Sequence, residues 1–193
     1  MEFVLTYNIE DIEAQILSTL AGFTLDQDQL DNGVLGGETG LANARVATHV
    51  GEIDARTFLD PETQEGFIKI LPFALVQYQG RTVVERFDAA QRYVHRVTFR
   101  IFCGAKSLRK KREAQLSAYV MLRQVYDLLH GRWAYSNQPL DVNLPTLSGT
   151  KITTTGFNTR SPLLCGTGQD ERLIAVLPQI VVYRTDYTVD LVT

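Results

Sequence analysis

The sequence predicts an α+β fold: a single domain with a mainly antiparallel sheet and a long amphipathic helix packed on one face, plus an N-terminal helix and a long acidic loop or arm. Three observations carry this expectation. Residues 92–103, "RYVHRVTFRIFC", alternate apolar and polar side chains with the period of a strand that buries one face. Ala114, Ala118, Met121, Val125 and Leu128 step by four and three, widened by Leu122 and Leu129 into a stripe that only a helix places on one side. The strand-like segments before and after that helix follow one another without intervening helices, which favours antiparallel pairing. A chain of 193 residues with 45% apolar content is sufficient for one core, so residues 1–193 are expected to form one domain.

The elements follow in order. "NIEDIEAQILSTLAG" places Ile9, Ile12, Ile16, Leu17 and Leu20 at helical spacing, with Asn8 as N-cap, Glu10, Asp11 and Glu13 in the first turn, and Gly22 as the stop. Residues 22–66 are acidic and rich in turn residues, as in "DNGVLGGETG" and "DPETQEG", and are expected as an extended arm or projecting loop. Residues 68–78 are apolar on both faces and predict a central strand despite Pro72. "RTVVERF" predicts a short strand after a turn at Gly80, and the strand over 92–103 comes next. The long helix, of about five turns, then ends at Gly131. "GTKITTTGF" and "RLIAVLPQIVVYRTDYTV" predict two last strands, the second bent at Pro178.

Composition narrows the function class. There is no run of about 18 apolar residues, and the first residues carry acids where a signal peptide carries cations, so neither membrane insertion nor secretion is expected. Cys103 and Cys165 form no CxxC pair and predict reduced thiols in a cytoplasmic setting, with Cys103 buried. "GVLGGETG" lacks the spacing and the lysine of a phosphate loop, and reads as a turn. His49, His95 and His130 share no ligand spacing, and no GxSxG elbow is present. The expectation is therefore a non-enzymatic protein with no cofactor, no metal and no catalytic residues. A small hydrolase assembled from residues distant in sequence stays open as an alternative.

Charge is the most informative feature. Residues 1–66 carry thirteen acids against two arginines, a net of −11, whereas residues 67–193 carry a net of +8. An asymmetry of this kind asks for a partner, and another copy of the chain is one candidate. The cations concentrate in "SLRKKREAQ": Lys106, Arg109, Lys110, Lys111 and Arg112 gather at the N-terminal end of the long helix, where the backbone dipole is already positive. A solvated helix start is the plain reading, and an anionic partner is the functional one. The acidic first third of a neighbouring subunit, an acidic surface of another protein and nucleic acid are the candidates. Nucleic acid alone is disfavoured by the overall charge of −3 and by the absence of aromatics between the cations. Arg96 and Arg100, on the outward side of their strand, are secondary interface candidates.

The string "HRVTFRIFCGAKSLRKKREAQLSAYVMLRQVYDLLHGRW" combines an alternating strand, a small-residue turn with cations and a helix closing in "LLHG". With "IEDIEAQILSTL", "LPFALVQYQG" and "IVVYRTDYTV", it resembles the tail terminator proteins of Mu-like phages and prophages, minor tail proteins of contractile-tailed particles. The resemblance implies an α+β subunit that assembles as a ring, about six to a ring, with the heterologous contacts that cyclic symmetry requires. Such a ring sits on the head-proximal end of the tail tube, stops tube and sheath polymerisation and presents a surface to the head–tail connector. The implied location is the host bacterial cytoplasm during assembly and the virion tail afterwards, with DNA as cargo through the lumen. A connector or neck protein is the alternative within the same class, and a nucleic-acid-binding module the alternative outside it.

Overall fold

The computed structural model describes residues 9–24, 40–51, 53–54, 56–57, 60–87, 92–107, 111–130, 164–166, 171–177 and 180–192. Among the described residues, three helices, α1 (Ile9–Ala21), α2 (Pro61–Ile70) and α3 (Lys111–Leu129), accompany a 3-10 turn at Gly40–Asn43. The strands are β1 (Arg45–Thr48), β2 (Phe73–Phe87), β3 (Arg92–Lys106), β4 (Leu164–Gly166), β5 (Arg172–Val176) and β6 (Ile180–Val192). They form one sheet in the order β1-β2-β3-β6, and β4 and β5 share the remaining edge of β6, pairing with its far and near ends respectively. Every pairing is antiparallel except that of β1 with β2. The α+β class and the mainly antiparallel sheet are as the sequence predicts.

The alternation of β3 sets the two faces. Val97, Phe99, Ile101, Cys103 and Ala105 are buried on one side, where α1 contributes Ile12, Ile16 and Leu20 and α3 contributes Ala114, Ala118, Met121 and Val125. Fully burying a large apolar side chain stabilises by about 1.5–3 kcal/mol, and among the described residues this face carries the larger of the two cores. Phe102 faces the other way, into a second core with Ile53, Phe67, Leu71, Phe73, Leu75, Ile180 and Val182. The pairing of β3 with β6 runs without a shift from Val94↔Val192 to Lys106↔Ile180. That long unbroken ladder fixes which residues of both strands share a face.

Four expectations need correction. Part of the stretch expected as an arm belongs to the domain: residues 45–48 are β1, paired in parallel with Phe73–Val76, and residues 61–66 lie in α2. The expected strand over 68–78 is helix up to Ile70 and strand only from Phe73. Asp60 caps α2 by accepting a hydrogen bond from the Thr63 amide at 3.2 Å, Pro61 occupies its first turn, and the Leu71–Pro72 peptide that follows is cis. Gly80 is not a hairpin turn. β2 runs through it with a register shift between Tyr78 and Gly80, whose φ of +132° suits glycine in a bulge. Pro178 does not bend one strand: β5 and β6 are separate antiparallel strands, and Leu177 and Ile180 exchange backbone hydrogen bonds where the chain reverses. The Asn8 cap, the Gly131 stop, the "GTKITTTGF" strand and residues 25–39 of the expected arm lie outside the described residues.

Candidate protein interface

The end of β3 and the start of α3 place the basic segment. Lys106 is exposed, and its Nζ donates to the Ile68 carbonyl at 3.4 Å. That carbonyl belongs to the last turn of α2, where backbone oxygens lack helical partners and the dipole is negative, so Lys106 has a role within the chain. The Ser107 hydroxyl donates to the Glu113 carboxylate at 2.7 Å. Glu113 thereby offsets some of the positive field of the first turn of α3, while Arg112 stands exposed in it. Lys111 is the first residue of α3, and Arg109 and Lys110 lie outside the described residues.

Among the described acids of the first third, Glu10 is in the first turn of α1 with Glu13 just beyond it, and Asp60 and Glu62 are at the start of α2. Asp60 is separated from Lys69, at the Lys106 end of the same helix, by about 14 Å of helix axis. Glu65 pairs with Lys69 at 2.9 Å, an exposed i,i+4 contact of little energetic weight. Desolvation, aided by the charge of Glu10, holds Glu13 above the usual carboxylate range.

Arg96 and Arg100 lie on the polar part of the face that α2 covers elsewhere. In register, Arg100 stands between Gln77 and Asp186, and Arg96 between Thr82 and Asp190. Arg100 Nε donates to Asp186 Oδ1 at 3.1 Å, with the two side chains only 24% and 12% exposed. Arg100 is thus committed to its own chain, since removing it would strand a largely desolvated carboxylate. Residues 86 apart in sequence form this pair, so strand pattern alone gives no sign of it.

One feature of α3 has no counterpart in the sequence expectations. The Gln115 amide donates to the hydroxyls of Tyr119, at 2.7 Å, and Tyr183, at 3.3 Å, and Tyr183 donates to Tyr119 at 3.1 Å. The two tyrosine rings lie 5.1 Å apart, yet Tyr119 keeps 41% of its surface exposed. Seven residues on, Tyr126 is 42% exposed and stacks on His130 at 4.3 Å. Two ordered aromatics at i and i+7 on the polar side of a helix were the available signal.

The remaining candidate chemistry is dispersed. His49 packs against Phe67, His95 lies in β3 and His130 stacks at the end of α3. Cys103 is a buried free thiol, pushed up to about 12 chiefly by burial. Among the described residues no three His, Cys, Asp or Glu side chains gather as metal ligands, and no helix is long and apolar enough to cross a membrane. Searches against known protein families and curated proteins return no match.

Proposed function

We propose that the chain is a phage tail assembly protein of the tail terminator kind, forming a ring, about six to a ring, on the head-proximal end of the tail tube. The ring stops tube and sheath polymerisation and offers a surface for the head–tail connector. The proposal draws on the resemblance in the β3–α3 region and, above all, on one observation: the net −11 of residues 1–66 against the +8 of the rest. Among the described residues, the exposed cation Arg112 begins α3, whereas exposed acids begin α1 and α2. A chain divided in this way is suited to a heterologous contact in which a basic patch of one copy meets an acidic patch of the next.

Lys110→Glu combined with Lys111→Glu tests the reading. The variant is expected to weaken ring or tail formation in a salt-sensitive way, with the gap to wild type widest at low salt, where the charges are least screened. Normal tails at all salt concentrations would refute it. Co-purification of the wild-type chain with the tail tube supports a terminator, and co-purification with the connector instead assigns it to the neck. Steeply salt-dependent oligonucleotide binding without self-association would favour a nucleic-acid module.

A further inference from the structure

The helical layer carries two exposed stripes that match each other. α1 lies over β1 and β2, and α3 over β3 and β6, with the 3-10 turn packed on the α1 side of α3. There Leu41 N donates to Gln124 Oε1 at 2.7 Å, and a Cβ on Gly40 would collide with Gln124 and Val120. Tyr183 of β6 meets Tyr119 on the other side of α3. Arg112, Tyr119, Arg123 and Tyr126 are all exposed and fall within a sector of about 60° at 100° per residue. On α1 the exposed residues Glu10, Ala14, Ser18 and Ala21 fall within about 80°.

We infer that the tyrosine stripe of α3 docks on the exposed side of α1 of a second copy. Three features of the chain select this occupant. Tyr119 and Tyr126 are seven residues apart with Arg123 between them, and Ala14 and Ala21 are seven apart with Ser18 between them. Both intervals amount to about 10.5 Å of helix axis. Large aromatics on one surface therefore meet small residues on the other at the same repeat. Seating Tyr119 on Ala14 and Tyr126 on Ala21 brings Arg112 to the Glu10 end of α1, so the charges match as well as the shapes. The tyrosines are also pre-ordered, Tyr119 by Gln115 and Tyr183 and Tyr126 by His130. Ordered tyrosines and arginines are the residues that dominate interface energies, because little side-chain entropy remains to be lost. The contact is heterologous, and so compatible with a closed ring.

This inference rests on the self-assembling ring of the proposed function, and native mass in solution tests the two separately. Ala14→Arg and Arg112→Glu change exposed residues and are expected not to lower the thermal midpoint while weakening self-association by about tenfold or more. Glu10→Arg is expected to weaken assembly, and the Glu10→Arg/Arg112→Glu pair to restore it. An equimolar mixture of Ala14→Arg chains and Tyr126→Ala chains should stop at dimers, since one intact stripe meets one intact α1. A wild-type assembly that tolerates all these variants overturns this interface and leaves the ring standing. A wild-type chain that is monomeric at every concentration overturns both. Variants that lose tube binding but still self-associate assign the stripe to another protein, which also overturns the inference.

Discussion

Gly104 lies in β3 beneath the ring of Phe73, and a Cβ added there would stand 2.4 Å from the ring's Cζ and 2.7 Å from both Cε atoms. Carbon atoms in contact prefer about 3.5–4.0 Å, so Gly104→Ala requires the ring to retreat by about 1 Å. Phe73 is fully buried, with Phe67 tilted against it at 5.8 Å, so little space receives it. Overpacking of this kind costs about 1–3 kcal/mol. The loss of unfolded-state freedom on replacing glycine returns about 0.4–1 kcal/mol, so the clash prevails. For a domain of this size the net, centred on about 1.3 kcal/mol, lowers the thermal midpoint by about 3–5 °C. The assay is thermal unfolding of Gly104→Ala, Phe73→Leu and the double variant. The double variant should be at least about 1 kcal/mol more stable than the sum of the singles, because the alanine methyl fills the space the ring vacates. A Gly104→Ala chain as stable as wild type, or strictly additive variants, would refute the packing described for this face.

Two further outcomes follow from buried groups. In a Cys165→Ser background, Cys103 should resist thiol reagents at pH 8 until the chain unfolds, because burial disfavours its thiolate; rapid labelling of folded protein would contradict that placement. Burial lowers His49 below its ordinary 6.5, so the folded state favours the neutral imidazole. Its contribution to stability is complete above the unfolded value and is lost as pH falls through the lower folded-state value. Thermal midpoints measured from pH 7.5 down to pH 5 should therefore fall less steeply in His49→Gln than in wild type, and parallel curves would exclude the effect.

What the sequence made legible depended on how many side chains each element buries. β3 was readable because its alternate residues from Val97 to Cys103 all enter one core, and α3 because its stripe from Ala114 to Leu129 does the same. α2 escaped the periodicity reading because Phe67 is its one buried residue, although Asp60-Pro61-Glu62 was a helix-start signal in plain view. Glycine and proline marked the right positions with the wrong geometry. Gly80 accommodates a bulge inside β2, and the stretch around Pro178 is two strands, β5 and β6, rather than one bent strand. The basic segment was legible as charge, but the commitments of Lys106 to Ile68 and Arg100 to Asp186 depend on tertiary neighbours. The same holds for the Tyr119–Tyr183 contact, which joins residues 64 apart.

Native mass measured by light scattering across protein and salt concentration, with negative-stain imaging of the same samples, tests the central proposal most directly. The charge-divided chain is expected to form closed rings at low salt that dissociate towards about 0.5 M salt, where screening shortens to a few ångströms. A monomer under every condition, or an assembly indifferent to salt, would contradict it.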